Sequence, residues 1–206
     1  MIPVFFVLTL LLMLWIYYQK SRTDRSAKAT HDAFWEKERL ANTTRKKDIS
    51  GLDYITIPVE ELPFPNLDDE EITEVQKRLQ TLAGEKIVNF TGITNTELKL
   101  QYGAPNIDLL MAFDKNYLEL VRSLYRYGKL LYDQGYKEEA TTILEYGISI
   151  KTDVSANYTL LASIYKEKND TKRIDFLISQ AETLNSLTKN SLLANLMTIR
   201  NSSISQ

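Results

Sequence analysis

Uncharged residues fill the chain from Ile2 to Tyr18 (IPVFFVLTLLLMLWIYY), and only beyond them do polar and apolar positions start to interleave. A helix that is apolar all round must be buried or set in lipid. The run counts 17 residues and as a helix reaches about 25 Å, a little short of a ~30 Å hydrocarbon core. Slight bilayer thinning or a snorkelling Lys20 closes that gap. Trp15, Tyr17 and Tyr18 fall at the end of the run, where amphipathic rings favour the headgroup level. A cleaved secretory signal wants positive charge before its apolar region and small residues soon after it. No Lys or Arg precedes this run, and Ala27-Lys28-Ala29 lies well beyond it. Lys20, Arg22, Arg25 and Lys28 follow instead. The expectation is a retained single-pass anchor in a cell membrane, with the rest of the chain on the cytoplasmic side.

Farther on, apolar residues return every three or four positions, which predicts amphipathic helices over 69–83, 96–102, 107–113, the region past 115, and 190–200. Asn95 is the expected cap of the second of these, and Gly103-Ala104-Pro105 its stop. The expected fold class is all-α. Its parts are a transmembrane helix (2–18), a basic juxtamembrane segment (19–48), an extended Pro-containing strip (49–68), capping helices (69–114) and a helical domain (115–202).

Charge changes sign along the linker. Residues 19–47 hold nine Lys/Arg and four Asp/Glu, whereas 48–76 hold nine Asp/Glu and no Lys or Arg. The basic part, with Phe34 and Trp35, reads either as a segment lying along anionic lipid or as a solvated continuation of the anchor helix. In GLDYITIPVEELPFP (51–65), Pro58, Pro63 and Pro65 deny helix while Tyr54, Ile55, Ile57, Val59, Leu62 and Phe64 want burial. Such a strip should dock on the helical domain rather than wander. The acids Asp68 to Glu71 offer two readings, a carboxylate cluster or a helix N-terminus, and the helix that follows favours the second.

Past 120 the pattern repeats every 34 residues: Leu124 returns as Tyr158, Tyr127 as Leu161, Gly128 as Ala162, Leu131 as Tyr165, Gly135 as Asn169, Leu144 as Ile178 and Gly147 as Ala181. Small residues would let two helices cross closely, Gly135 and Asn169 would stop a helix in the left-handed conformation, and the bulky residues would fill the core. This spacing, over residues 121–188, resembles the tetratricopeptide (TPR) repeat family. Two positions depart from the family pattern: Ile174 stands where an Ala is usual, and Thr152 and Ser186 replace the closing Pro. The resemblance implies stacked helical hairpins whose first helices line a groove for a peptide or a partner's helix. Carried over position by position, that groove presents Arg122, Tyr125, Lys129, Tyr132 and Asp133, then Thr159, Ser163, Lys166 and Glu167. The alternatives are an ordinary solvated face, or one filled by residues 51–65 of the same chain. Some relatives use a Lys in a carboxylate clamp where this chain has Tyr125, so that specificity is not implied.

Composition narrows the chemistry. With 25 Lys plus Arg against 27 Asp plus Glu and a pI near 5.6, the chain lacks the basic stripe that nucleic acid requires. There is no cysteine and one histidine, His31, so thiolate chemistry is excluded and neither a His-based metal site nor a catalytic pair has the residues it needs. The seven glycines are scattered at turns, with no phosphate-cradling loop. The expectation is therefore not an enzyme but a membrane-anchored module that binds a peptide or protein, with no cofactor, no metal and no small-molecule substrate. The rival is a structural subunit of a membrane complex, assembled through its transmembrane and juxtamembrane helix.

Overall fold

A computed structural model describes residues 4–204, and their regular structure is helical throughout, with no strand. The chain divides into two compact units, one of residues up to Asp48 with Thr94–Ile107, the other of Ile49–Ile93 with the chain from Asp108 onward.

The first unit is built on α1 (Val4–Thr43), whose 40 residues reach about 60 Å. From Phe6 to Tyr18 the large apolar side chains stand exposed, from 46% at Val7 to 73% at Tyr17. Among the described residues no helix is long and apolar enough to cross a membrane. The run expected to span begins at Ile2, outside the described residues, and Phe6–Tyr18 alone covers only about 20 Å. The helix does not stop at Tyr18, however: it continues through the basic segment to Thr43. There α3 (Asn95–Tyr102) packs against it, burying Ala41 and Leu98. Glu38 accepts from Lys99 Nζ at 2.6 Å, and the same amine reaches Asn42 Oδ1 at 2.7 Å. The cap of α3 is Thr94 rather than Asn95, because Glu97 lies three residues after Thr94 and completes a reciprocal capping box. After α3 comes Gly103 at φ +95, where a Cβ would sit 2.2 Å from the Arg45 carbonyl oxygen. Only glycine fits.

The second unit begins with the strip. Ile57 and Leu62 are buried in the main core, and Ile55, Val59, Phe64 and Leu67 pack on it. Tyr127 OH donates to Pro63 O at 2.8 Å, Phe64 stacks on the Tyr127 ring, and Tyr146 OH donates to Thr56 O at 3.1 Å. The expected docking is what is found. Next is α2 (Glu70–Leu82), amphipathic with Ile72, Val75, Leu79 and Leu82 inward.

The chain then returns in α4 (Ile107–Asp133), a single helix where a short capping helix followed by a separate repeat helix was expected. No Gly or Pro interrupts it before Gly128, and its buried residues from Leu110 through Tyr117, Leu124 and Leu131 form one continuous stripe. α5 (Lys137–Ser149), α6 (Ser155–Glu167), α7 (Thr171–Glu182) and α8 (Lys189–Ile204) complete the unit. α5 and α7 begin 34 residues apart, as do α6 and α8. Gly135 (φ 88) and Asn169 (φ 55) end α4 and α6 in the left-handed region, as their residue types foretold. Gly128 is buried against α5, and Ala162 is fully buried. α8 packs on both α6 and α7.

Candidate functional site

The expected groove residues lie on two helices, five on the second half of α4 and four on α6. α6 presents its residues because Leu161, Ala162, Ile164 and Tyr165 turn inward and leave the intervening positions outward. Tyr125, Tyr132, Thr159, Ser163 and Lys166 are half-buried, and Arg122, Lys129, Asp133 and Glu167 are exposed.

Most of these heads are already paired. Tyr132 OH donates to Glu167 Oε1 at 2.7 Å, bridging α4 to α6, and Lys137 Nζ donates to Glu167 Oε2 at 2.6 Å while lying over the Tyr132 ring. The bond from Lys137, then that from Tyr132, hold the Glu167 carboxyl below its usual range. In return the bond to Glu167 raises the Tyr132 phenol. Lys129 pairs with Asp133 one turn on, which raises the amine. Ser163 and Thr159 donate to carbonyls of their own helix, and Lys166 Nζ donates to Ser202 Oγ of α8 at 2.8 Å. Tyr125 and Tyr132 thus stand half-buried on α4, with Glu167 tying α4 to α6 and Lys166 tying α6 to α8. The strip's hydrogen bonds to the helical core include those from Tyr127, Tyr146 and Gln76 and one to Ile87, none of which belongs to this set.

Arg122 is placed elsewhere. It lines a groove of about 800 Å³ between α2 and α4 with Lys77, Arg78, Lys115 and Arg126, which the sequence reading did not single out. The signal was available: Lys115, Arg122 and Arg126 stand seven and four residues apart, on one face of a helix once α4 is known to be continuous.

The remaining candidates have structural partners. Asp69 caps α2, its Oδ1 accepting from Ile72 N at 3.0 Å and its Oδ2 from Gln134 Nε2 at 2.6 Å. His31 Nε2 accepts from Trp35 Nε1 at 2.8 Å on exposed α1. Among the described residues no group of three or more His, Cys, Asp or Glu side chains is placed to hold a metal ion. No family model, curated protein or solved structure matches the chain. What the fold defines is an all-α protein.

Proposed function

We propose that this chain is a membrane-anchored protein-interaction module that holds a small TPR-like helical domain at the cytoplasmic face and binds a peptide or protein partner without catalysis. The observation that carries the reading is the 34-residue recurrence of helix starts, with left-handed stops at Gly135 and Asn169 and a glycine at the α4–α5 crossing. The reading is further supported by Tyr125 and Tyr132, half-buried on α4 and of a residue class that carries energy at interfaces. Anchoring is supported by the apolar side chains exposed on every side of α1 from Phe6 to Tyr18. The basic residues after them orient the domain inward.

Affinity capture from detergent-solubilised membranes tests the binding role. Tyr125→Ala/Tyr132→Ala should remove specific partners, and an unchanged partner list would count against the tyrosine face. Deletion of residues 1–47 separates this reading from a structural subunit: if all association vanished while the remaining domain bound nothing, assembly through α1 would replace groove binding. Protease protection of the domain in sealed, oriented vesicles reads the sidedness.

A further inference from the structure

The α2–α4 groove is electropositive. Its lining holds five cationic side chains, Lys77, Arg78, Lys115, Arg122 and Arg126, against the carboxylates of Glu74 and Glu119. Arg78 pairs with Glu119, and Arg126 lies 3.4 Å from Glu74. Lys77, Lys115 and Arg122 are exposed, and their charged heads form no ion pair or side-chain hydrogen bond among the described residues. Between them Val75 and Leu118 give the groove an apolar floor. Lys115 and Arg122 stand two helical turns apart, about 10 Å along α4.

Resting on the reading of the chain as an interaction module, we propose that this groove binds an acidic segment of a partner protein, one whose carboxylates flank an apolar side chain. Charge complementarity selects the anion. The concave shape and the apolar floor favour a peptide over a lipid surface, since a bilayer cannot enter a groove.

The experiment uses the full chain in neutral detergent and fluorescence anisotropy. The probe is a labelled peptide of repeating Glu-Glu-Leu, with a twin carrying Lys for each Glu. The acidic probe should bind, weaken as NaCl rises, and outcompete its twin. Lys77→Glu/Lys115→Glu/Arg122→Glu should raise its Kd roughly tenfold or more, and the matching Gln variant should fall between. Reversal of the exposed Lys172 on α7 should change nothing. The proposal is overturned if probe and twin bind alike, if the triple reversal leaves Kd unchanged, or if charge-dependent binding is seen only with phosphatidylglycerol vesicles. The tyrosine pair reads the preceding proposal and these three cations read this one, so each can fail alone.

Discussion

Replacing Gly128 with Ala sets two effects of known sign against each other. An Ala in mid-helix should stabilise by about 1 kcal/mol, since glycine pays more backbone entropy. Against that, the added Cβ would stand 2.8 Å from both Cγ and Cδ2 of Leu144. Carbon atoms prefer about 3.5–4.0 Å, so the overlap is close to 1 Å. Leu144 is fully buried and its Cγ is a branch point, so it cannot swing aside as the tip of a lysine would. Overpacking of this kind costs about 1–3 kcal/mol, which leaves Gly128→Ala destabilising by about 1 kcal/mol net. In a chain of this length that lowers Tm by about 2–4 °C. A cycle with Leu144→Ala isolates the cause. That change alone costs about 2–5 kcal/mol, but it removes the obstructing atoms. On that background Gly128→Ala should become stabilising, a coupling of about 1–3 kcal/mol. Urea unfolding of the four proteins in neutral detergent, followed by far-UV circular dichroism, measures it. If Gly128→Ala stabilises equally in both backgrounds, the glycine is not a spacer and the close α4–α5 crossing is wrong.

Three further outcomes follow from named contacts. Gly135→Ala meets no atom within 4 Å but must hold φ +88, so its cost is backbone strain alone, about 1–2 kcal/mol, while Asn169→Gly should be neutral or mildly stabilising in the same urea assay. Tyr127→Phe keeps the stack on Phe64 but orphans Pro63 O, while Gln76 Nε2 keeps its bond to Pro65 O, costing about 1–3 kcal/mol, and a Glu-specific protease should then cut faster at Glu60 and Glu61. Burial pushes the phenols of Tyr146 and Tyr158 up to about 12 from 10.0, with Asp153 adding to the effect at Tyr158. The unfolded chain therefore loses those protons first, so the associated stability is intact below pH 10 and drains as pH rises toward 12. The share of the phenolate absorbance that Tyr146→Phe and Tyr158→Phe each remove should accordingly rise in step with unfolding rather than ahead of it.

Local signals in the sequence carried much of the second unit. The cap of α2 was legible because Asp69 and its acidic followers suit a helix N-terminus, and the stops at Gly135 and Asn169 because few residues adopt φ above zero cheaply. Docking of the strip was legible from its density of apolar side chains, but not its register, since nothing local couples Pro63 to Tyr127. The break expected near residue 114 is absent because no Gly or Pro falls there and the apolar stripe of α4 runs through it uninterrupted. Of the candidate site, Tyr132 and Glu167 meet between α4 and α6, a pairing that nothing local in the sequence specifies, whereas Arg122 joins a groove whose other wall, α2, is remote in sequence. Only tertiary packing brings those walls into register.

Two helical hairpins seldom stand alone, because each leaves an apolar face uncovered. Here the chain covers its own: Ile57 and Leu62 of the strip and Ile72, Val75 and Leu79 of α2 join the core that includes α4 and α5, while Leu192 and Leu196 of α8 do the same beside α6 and α7. Covering the core in this way spares the polar faces. The outward faces of α4 and α6 stay open, and so does the α2–α4 groove, with three cations that form no ion pair among the described residues. A rim of that kind mainly accelerates encounter and sets salt dependence, while half-buried tyrosines govern how long a complex lasts. Under the proposed anchoring, partners in or near the same membrane would meet the domain at raised effective concentration, so neither surface needs high affinity by itself. A partner engaging both should then lose about the sum of the two free energies to the combined tyrosine and cation changes, whereas a partner that loses no more to the combination than to one set alone uses that surface only.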